Sequence, residues 1–239
     1  MTQPVLYKDL GQNRSYSDIW DMQENLLNEN VQLKSVAAAS ENVHLLSPTN
    51  NHLLFVEHNP VYTLGKSGNS SNVLISDEER DARGIEFFKI NRGGDITFHG
   101  PGQLVGYPIF NLENFKTDLG WYLRSLEEVI ILTMADYGLQ SVRSKGETGV
   151  WIDAGIPGSE RKICAMGIRC SRWITMHGFA FNVNTNLDFF NYIIPCGIQN
   201  KQVTSLQKEL GYTVPMDEVK LHLLKNFEKV FDVEIIIEK

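Results

Sequence analysis

Three residue types in this chain could carry covalent or proton-transfer chemistry: a cysteine, a lysine and two histidines. Cys196 lies in Ile193-Ile194-Pro195-Cys196-Gly197-Ile198, where proline before and glycine after fix the direction of the thiol and leave its approach open. A thiol attacks as the thiolate, so a nucleophilic role requires a partner that lowers its pKa from ~8.5. His99, His177 and Lys162 are the candidates. His99 or His177 would make a Cys–His hydrolase; Lys162, entering the run KICAMGIR from a loop, would act as a neighbouring cation. A lone histidine is more often a core residue and a strand-end lysine is usually solvated, so the residues alone leave these readings open. Cys164 and Cys170, six apart in an alternating run, are expected to be core thiols on one strand face.

The densest segment is RGGDITFHGPGQLVGYP, residues 92 to 108, with five glycines and two prolines around Arg92, Thr97, His99 and Gln103. Such a segment cannot be a helix, and its glycines allow the main chain to approach a ligand closely. It is not a dinucleotide fingerprint, because Val105 stands where GPGQLV would need a third small residue. Nor is LGKS at 64–67 a phosphate-binding P-loop, since Pro60 occupies the position of its first glycine. Cys164, Cys170, Cys196 and His177 show no C-x-x-C or H-x-x-x-H spacing, so no metal site is expected.

The elements that must position these residues read as an α+β fold in one domain of 239 residues. Ser17 is placed to cap a first helix bearing Ile19, Trp20, Leu26 and Leu27. Strands are predicted at 52–58, 87–91 and 104–112, and the helical stripe from Asp118 to Tyr137 is closed by Gly138. Short strands follow at 139–143, 149–152, 163–169 and 173–183, with a loop at 153–161. Pro215 and Asp217 open a last amphipathic helix reaching Phe231, and 233–237 could close the sheet.

A net charge of −7 argues against general nucleic-acid or anionic-membrane binding. No apolar run approaches the ~20 residues of a membrane span, and the N-terminus lacks a targeting pattern, so a cytoplasmic protein is expected. Three cysteines in a large chain point to free thiols. Arg143, Lys145, Arg161, Lys162, Arg169 and Arg172 against Glu147, Asp153 and Glu160 give a basic stretch suited either to an acidic partner or to a solvated strand face.

RGGDITFHGPGQLVGYPIFNL, KICAMGIR, HGFAFNVN and IPCGI, in this order and spacing, resemble the octanoyl-[acyl-carrier-protein]–protein N-octanoyltransferases, the lipoate-protein ligase B family. The resemblance runs from about the first helix to Val203-Thr204-Ser205; the chain after Leu206 carries no motif. Phe98, where tyrosine is commoner, and Met166, where leucine or isoleucine is usual, are the departures. It implies a mixed sheet packed by helices, similar to the biotin and lipoate protein ligases and related to the class II synthetases. The implied reaction moves an octanoyl group from acyl carrier protein to the lysine amine of lipoyl domains, those of 2-oxoacid dehydrogenases and the glycine cleavage H protein. No cofactor is implied.

Carried to matching positions, Cys196 would be the acyl-thioester nucleophile and Lys162 the residue that lowers its pKa and handles the proton. Arg92, Gly93, Gly94, Asp95, Ile96, Thr97, Phe98 and His99 would form part of the acyl pocket. Ala165, Met166, Gly167, Gly178, Phe179 and Ala180 would complete it, with main-chain N–H groups of the glycines offered to the thioester oxygen. The rival readings are an ATP-dependent lipoate or biotin ligase, which activates a free acid and needs no cysteine, and a Cys–His thioesterase. An inactive acyl-carrier-binding module is a third.

Overall fold

The computed structural model describes residues 2–39, 49–194 and 202–238. Its strands are β1 (Gln3–Asp9), β2 (Asn51–Val56), β3 (Val61–Leu64), β4 (Glu86–Lys89), β5 (Ile96–His99) and β6 (Gln103–Ile109). They continue with β7 (Val142–Arg143), β8 (Val150–Ile152), β9 (Arg161–Ser171), β10 (Ile174–Asn182), β11 (Gln202–Val203) and β12 (Val233–Ile237). The helices are α1 (Tyr16–Ala39), α2 (Asp77–Ala82), α3 (Leu119–Asp136), α4 (Leu206–Leu210) and α5 (Met216–Phe231).

The main sheet runs β12-β1-β2-β6-β10-β9-β8-β7, with β11 alongside β9; β4-β3-β5 form a second, small sheet. It is mixed: β1 is parallel to β12 and β2, whereas β2, β6, β10, β9 and β8 pair antiparallel in turn. Helices α3 and α5 bury Leu126, Ile130, Leu223 and Phe227 against one face. On the other, α1 lays Ile19 and Leu27 over Val105, Tyr107, Met176 and Ala180. Its buried residues Tyr16, Ile19, Gln23, Leu27 and Asn30 recur every three or four positions, as one helix face requires.

Most of the expected elements are present, with shifted ends. The cap of α1 is Ser15, not Ser17: the Asp18 amide donates to its Oγ at 3.4 Å. Asp118 caps α3 by accepting from Trp121 N–H at 2.9 Å, and Gly138 follows the helix at φ +72°. Strands β1, β3, β5 and β11 and helices α2 and α4 were not expected. Most are short, and β5 lies inside the Gly-rich segment, where it gains its hydrogen bonds from β3 and not from its own pattern. Among the described residues no helix is long and apolar enough to cross a membrane.

Candidate active site

The Gly-rich segment folds onto β9. Gly93 N–H donates to Ile168 O at 2.9 Å, and Gly65 N–H and Ser67 N–H hold Asp95 O and Gly94 O at 3.1 Å. Arg92 is buried and anchors the segment from below, its guanidinium donating to Thr63 O at 2.6 Å and Thr63 Oγ1 at 3.0 Å. Between this segment, β9, β10 and the loop at 146–148 lies a cavity of about 480 Å³.

Of the residues expected at the site, Arg92, Gly93, Gly94, Asp95, Ile96, Thr97, His99, Lys162, Ala165, Met166, Gly167, Gly178, Phe179 and Ala180 all line this cavity. Phe98 does not. Its ring stacks on Phe189 at 4.5 Å and meets the edge of Tyr62 in a neighbouring apolar cluster, because β5 alternates and sends it to the opposite side from Thr97 and His99. Cys196 lies outside the described residues. Tyr16, Gln103, Val105, Tyr107, His177 and Asn182 also line the cavity without having been assigned to it; Gln103 and Asn182 stand within the HGPGQ and HGFAFN motifs.

Lys162 reaches the cavity through an irregularity in β9. Ile163 and Cys164 are consecutive, yet both are fully buried in the main core, where strict alternation would expel one of them. The β8–β9 register shifts at this point, Cys164 opposing Val150 and Lys162 opposing Trp151. The extra residue is a β-bulge, and it returns Lys162 to the side of Ala165. The ammonium sits 4.5 Å from the centre of the Trp151 ring, which fixes a flexible side chain by a cation–π contact.

The two cavity histidines are neutral. Gln103 spends both amide hydrogens on Phe98 O (3.0 Å) and Asn182 Oδ1 (2.9 Å), so its oxygen must accept from His99 Nδ1 at 2.8 Å. His99 Nε2 then accepts from the Thr63 hydroxyl at 3.3 Å. Burial, with His58 close by, holds its pKa well below the usual imidazole value. Both nitrogens of His99 are thus engaged by neighbouring side chains. His177 donates Nε2–H to Asn91 Oδ1 at 2.9 Å, and burial followed by Arg92 and Arg169 pushes its pKa down to about 3. Its φ of +58° is a left-handed conformation held by the surrounding sheet.

Cys164 is a core thiol as expected, fully buried, with burial pushing its pKa up. Cys170 is only half-buried, also with a raised pKa. Neither lines the cavity. Half of the basic stretch is paired with carboxylates of the fold. Arg143 binds Glu127 at 3.0 Å and Glu128 at 2.6 Å, Arg161 binds Glu209 at 2.6 Å and also Asp153, and Arg169 binds Glu24 at 2.5 Å. Lys145 stays exposed, next in sequence to the 146–148 loop of the cavity. Among the described residues no group of three potential ligands could hold a metal ion.

The family model for the lipoyl protein ligase A/B catalytic domain matches residues 15–228. The chain belongs to this family. It is 56% identical to the octanoyltransferase of Flavobacterium johnsoniae over 237 residues, covering 99% of the chain and 100% of that relative. The fold is similar to the bi-partite lipoate protein ligase of Thermoplasma acidophilum (TM-score 0.69, 16% identity, 100% of this chain and 87% of that one). It is also similar to the biotin protein ligase of Aquifex aeolicus (TM-score 0.50, 14% identity, 97% and 70%). The mixed α+β sheet expected of lipoate and biotin ligases is therefore present. Within the lipoyl protein ligase A/B family the chain is an octanoyltransferase, an acyltransferase.

Proposed function

We propose that the chain, acting as one catalytic domain in the cytoplasm, takes octanoate from the thioester of acyl carrier protein and passes it to the lysine amine of lipoyl domains. The acceptors are the lipoyl domains of 2-oxoacid dehydrogenases and the glycine cleavage H protein. Cys196 thiolate attacks the donor carbonyl, a C–S bond forms and the carrier thiolate leaves, taking up a proton. The acceptor amine then attacks the enzyme thioester, loses a proton and releases Cys196. Lys162 as the ammonium stabilises the thiolate and gives its proton to the departing carrier thiolate. The neutral amine it leaves then accepts the proton lost by the attacking acceptor amine, which restores the ammonium beside the released Cys196 thiolate. Thioester exchange costs little and amide formation is downhill, so ATP is not needed.

The observation that carries this reading is the bulge that brings Lys162 beside Ala165 at a cavity floored by Gly167, Gly178 and Ala180. Small residues leave room for an alkyl chain, whose burial is worth up to ~0.8 kcal/mol per CH₂. The two described thiols, Cys164 and Cys170, do not line the cavity and are hard to ionise, which supports Cys196 as the nucleophile of this reading. A Cys–His thioesterase is less well supported, because His99 has both nitrogens engaged and His177 is a very weak base. The pocket at Arg92–Thr97, His99, Ala165–Gly167 and Gly178–Ala180 would hold the octanoyl chain.

Intact-mass measurement tests the reading. Incubation with octanoyl-acyl carrier protein and no ATP is expected to add one octanoyl group, to be reversed by lipoyl domain and to be lost in Cys196→Ser. An unmodified wild-type protein that still transfers octanoate would overturn the enzyme-thioester step.

A further inference from the structure

We infer that Asn182 is a further catalytic residue, whose second side-chain N–H donates to the thioester carbonyl oxygen as it becomes an oxyanion; this rests on the reaction proposed above. Attack on a thioester moves the carbonyl π pair onto oxygen, and a pre-set donor at that oxygen lowers the barrier. Main-chain N–H groups of the pocket glycines are one source of such a donor. Gly93 N–H, however, is already given to Ile168 O at 2.9 Å, and Gly178 lies in the β10 ladder opposite Gly167.

Asn182 is the last residue of β10, buried to 4% exposure, and it lines the cavity. It stands in register with Gln103 on β6. Its Oδ1 accepts from Gln103 Nε2 at 2.9 Å, and one hydrogen of its Nδ2 goes to Thr204 O at 3.0 Å. Nδ2 carries two hydrogens. Among the described residues no acceptor meets the second. The amide cannot turn over, because a flip would set N–H against the Gln103 N–H and oxygen against Thr204 O. Gln103 is fixed in turn by His99 and Phe98 O.

The same network ties Asn182 to the main chain of β9 at Lys162, and both residues line the cavity. Thr204, whose carbonyl accepts from Asn182, donates its own N–H to Lys162 O at 2.9 Å. A buried network whose other groups are paired keeps its orientation during reaction, which is what an oxyanion donor requires. In both half-reactions the chemistry is the same at this atom. The oxyanion forms as sulfur or nitrogen bonds to carbon, and it collapses as the outgoing thiolate takes the C–S bonding pair.

Asn182→Ala and the isosteric Asn182→Asp, each checked for a cooperative melt, are compared with wild type in single-turnover acylation by octanoyl-acyl carrier protein. Loss of one oxyanion donor is expected to slow acylation and transfer to lipoyl domain by about 10²–10³-fold. Octanal, whose thiohemiacetal oxygen mimics the oxyanion, should bind at least about tenfold more weakly to either variant, while octanoate binding changes less than about threefold. Equal loss for octanal and octanoate, or a rate within about threefold of wild type, would reduce Asn182 to a structural residue. Should wild type form no adduct, the enzyme-thioester step falls, and the steady-state transfer rates of the same variants still decide the role of Asn182.

Discussion

A Cβ added to Gly167 would stand 2.8 Å from the carbonyl oxygen of Gly93. The two glycines press the Gly-rich segment onto β9, one atom row away from the Gly93 N–H bond to Ile168 O. Gly167→Ala must push that segment outward. The expected cost is about 1–3 kcal/mol, the usual range for overpacking, together with a loss of octanoyl transfer larger than the loss of stability explains. Gly138→Ala, at φ +72° but with open space around it, is the comparison. It should lower the melting temperature and leave kcat/KM unchanged.

Lys162 is held by Trp151 but is only half-buried, so its removal is expected to touch chemistry more than folding. Lys162→Met should reduce octanoyl transfer by about 10²–10⁴-fold, the range of general acid–base effects, with a change in stability of about 1 kcal/mol or less. Single-turnover kinetics beside urea denaturation separate the two. A variant that transfers octanoate at near wild-type rate would remove Lys162 from the mechanism.

His58 and His177 are neutral in the folded protein, with pKa values pushed by burial to about 4 and about 3. Unfolded, each would take a proton near pH 6.5. Between these values the unfolded chain binds more protons than the native one, so stability rises with pH there and falls on acidification. From pH 7 to pH 5 the loss is expected to be roughly 1–2 kcal/mol per histidine. Urea midpoints across this window measure it, and a flat profile would mean that these imidazoles are not buried neutral.

Arg169 is engaged with Glu24, which also accepts from the Asn91 amide behind His177. Arg169→Glu is therefore expected to damage use of acyl carrier protein and of a small octanoyl thioester equally, through the site itself. Lys145 is exposed, next in sequence to the 146–148 loop. Lys145→Glu should raise KM for the acidic carrier protein several-fold and leave the small thioester unaffected. Ratios of kcat/KM for the two donors decide between them.

Much of the site was legible because local sequence carries local constraints. Glycine at 93, 94 and 167, a helix stripe closed by Gly138, and the alternation of Cys164, Met166 and Ile168 each follow from the allowed backbone and from period. Short elements were not legible. β3 and β5 exist because each supplies the other's hydrogen bonds, which no window of sequence contains. Phe98 was grouped with its neighbours by motif, and alternation within β5 turned its ring away.

By itself, the sequence determined the family, the glycines that admit close main-chain approach, and the thiol and amine that could react. Tertiary structure decided which side Lys162 faces, since one bulged residue reverses the alternation of β9. It also decided that Arg143, Arg161 and Arg169 of the basic stretch are paired with carboxylates of the fold, and that His99 is locked neutral by Gln103 and Thr63. Several of those partners are distant in sequence, Glu127 lying 16 residues from Arg143 and Glu24 145 residues from Arg169. Pairing at that range is set by packing and by the need to satisfy buried polar groups.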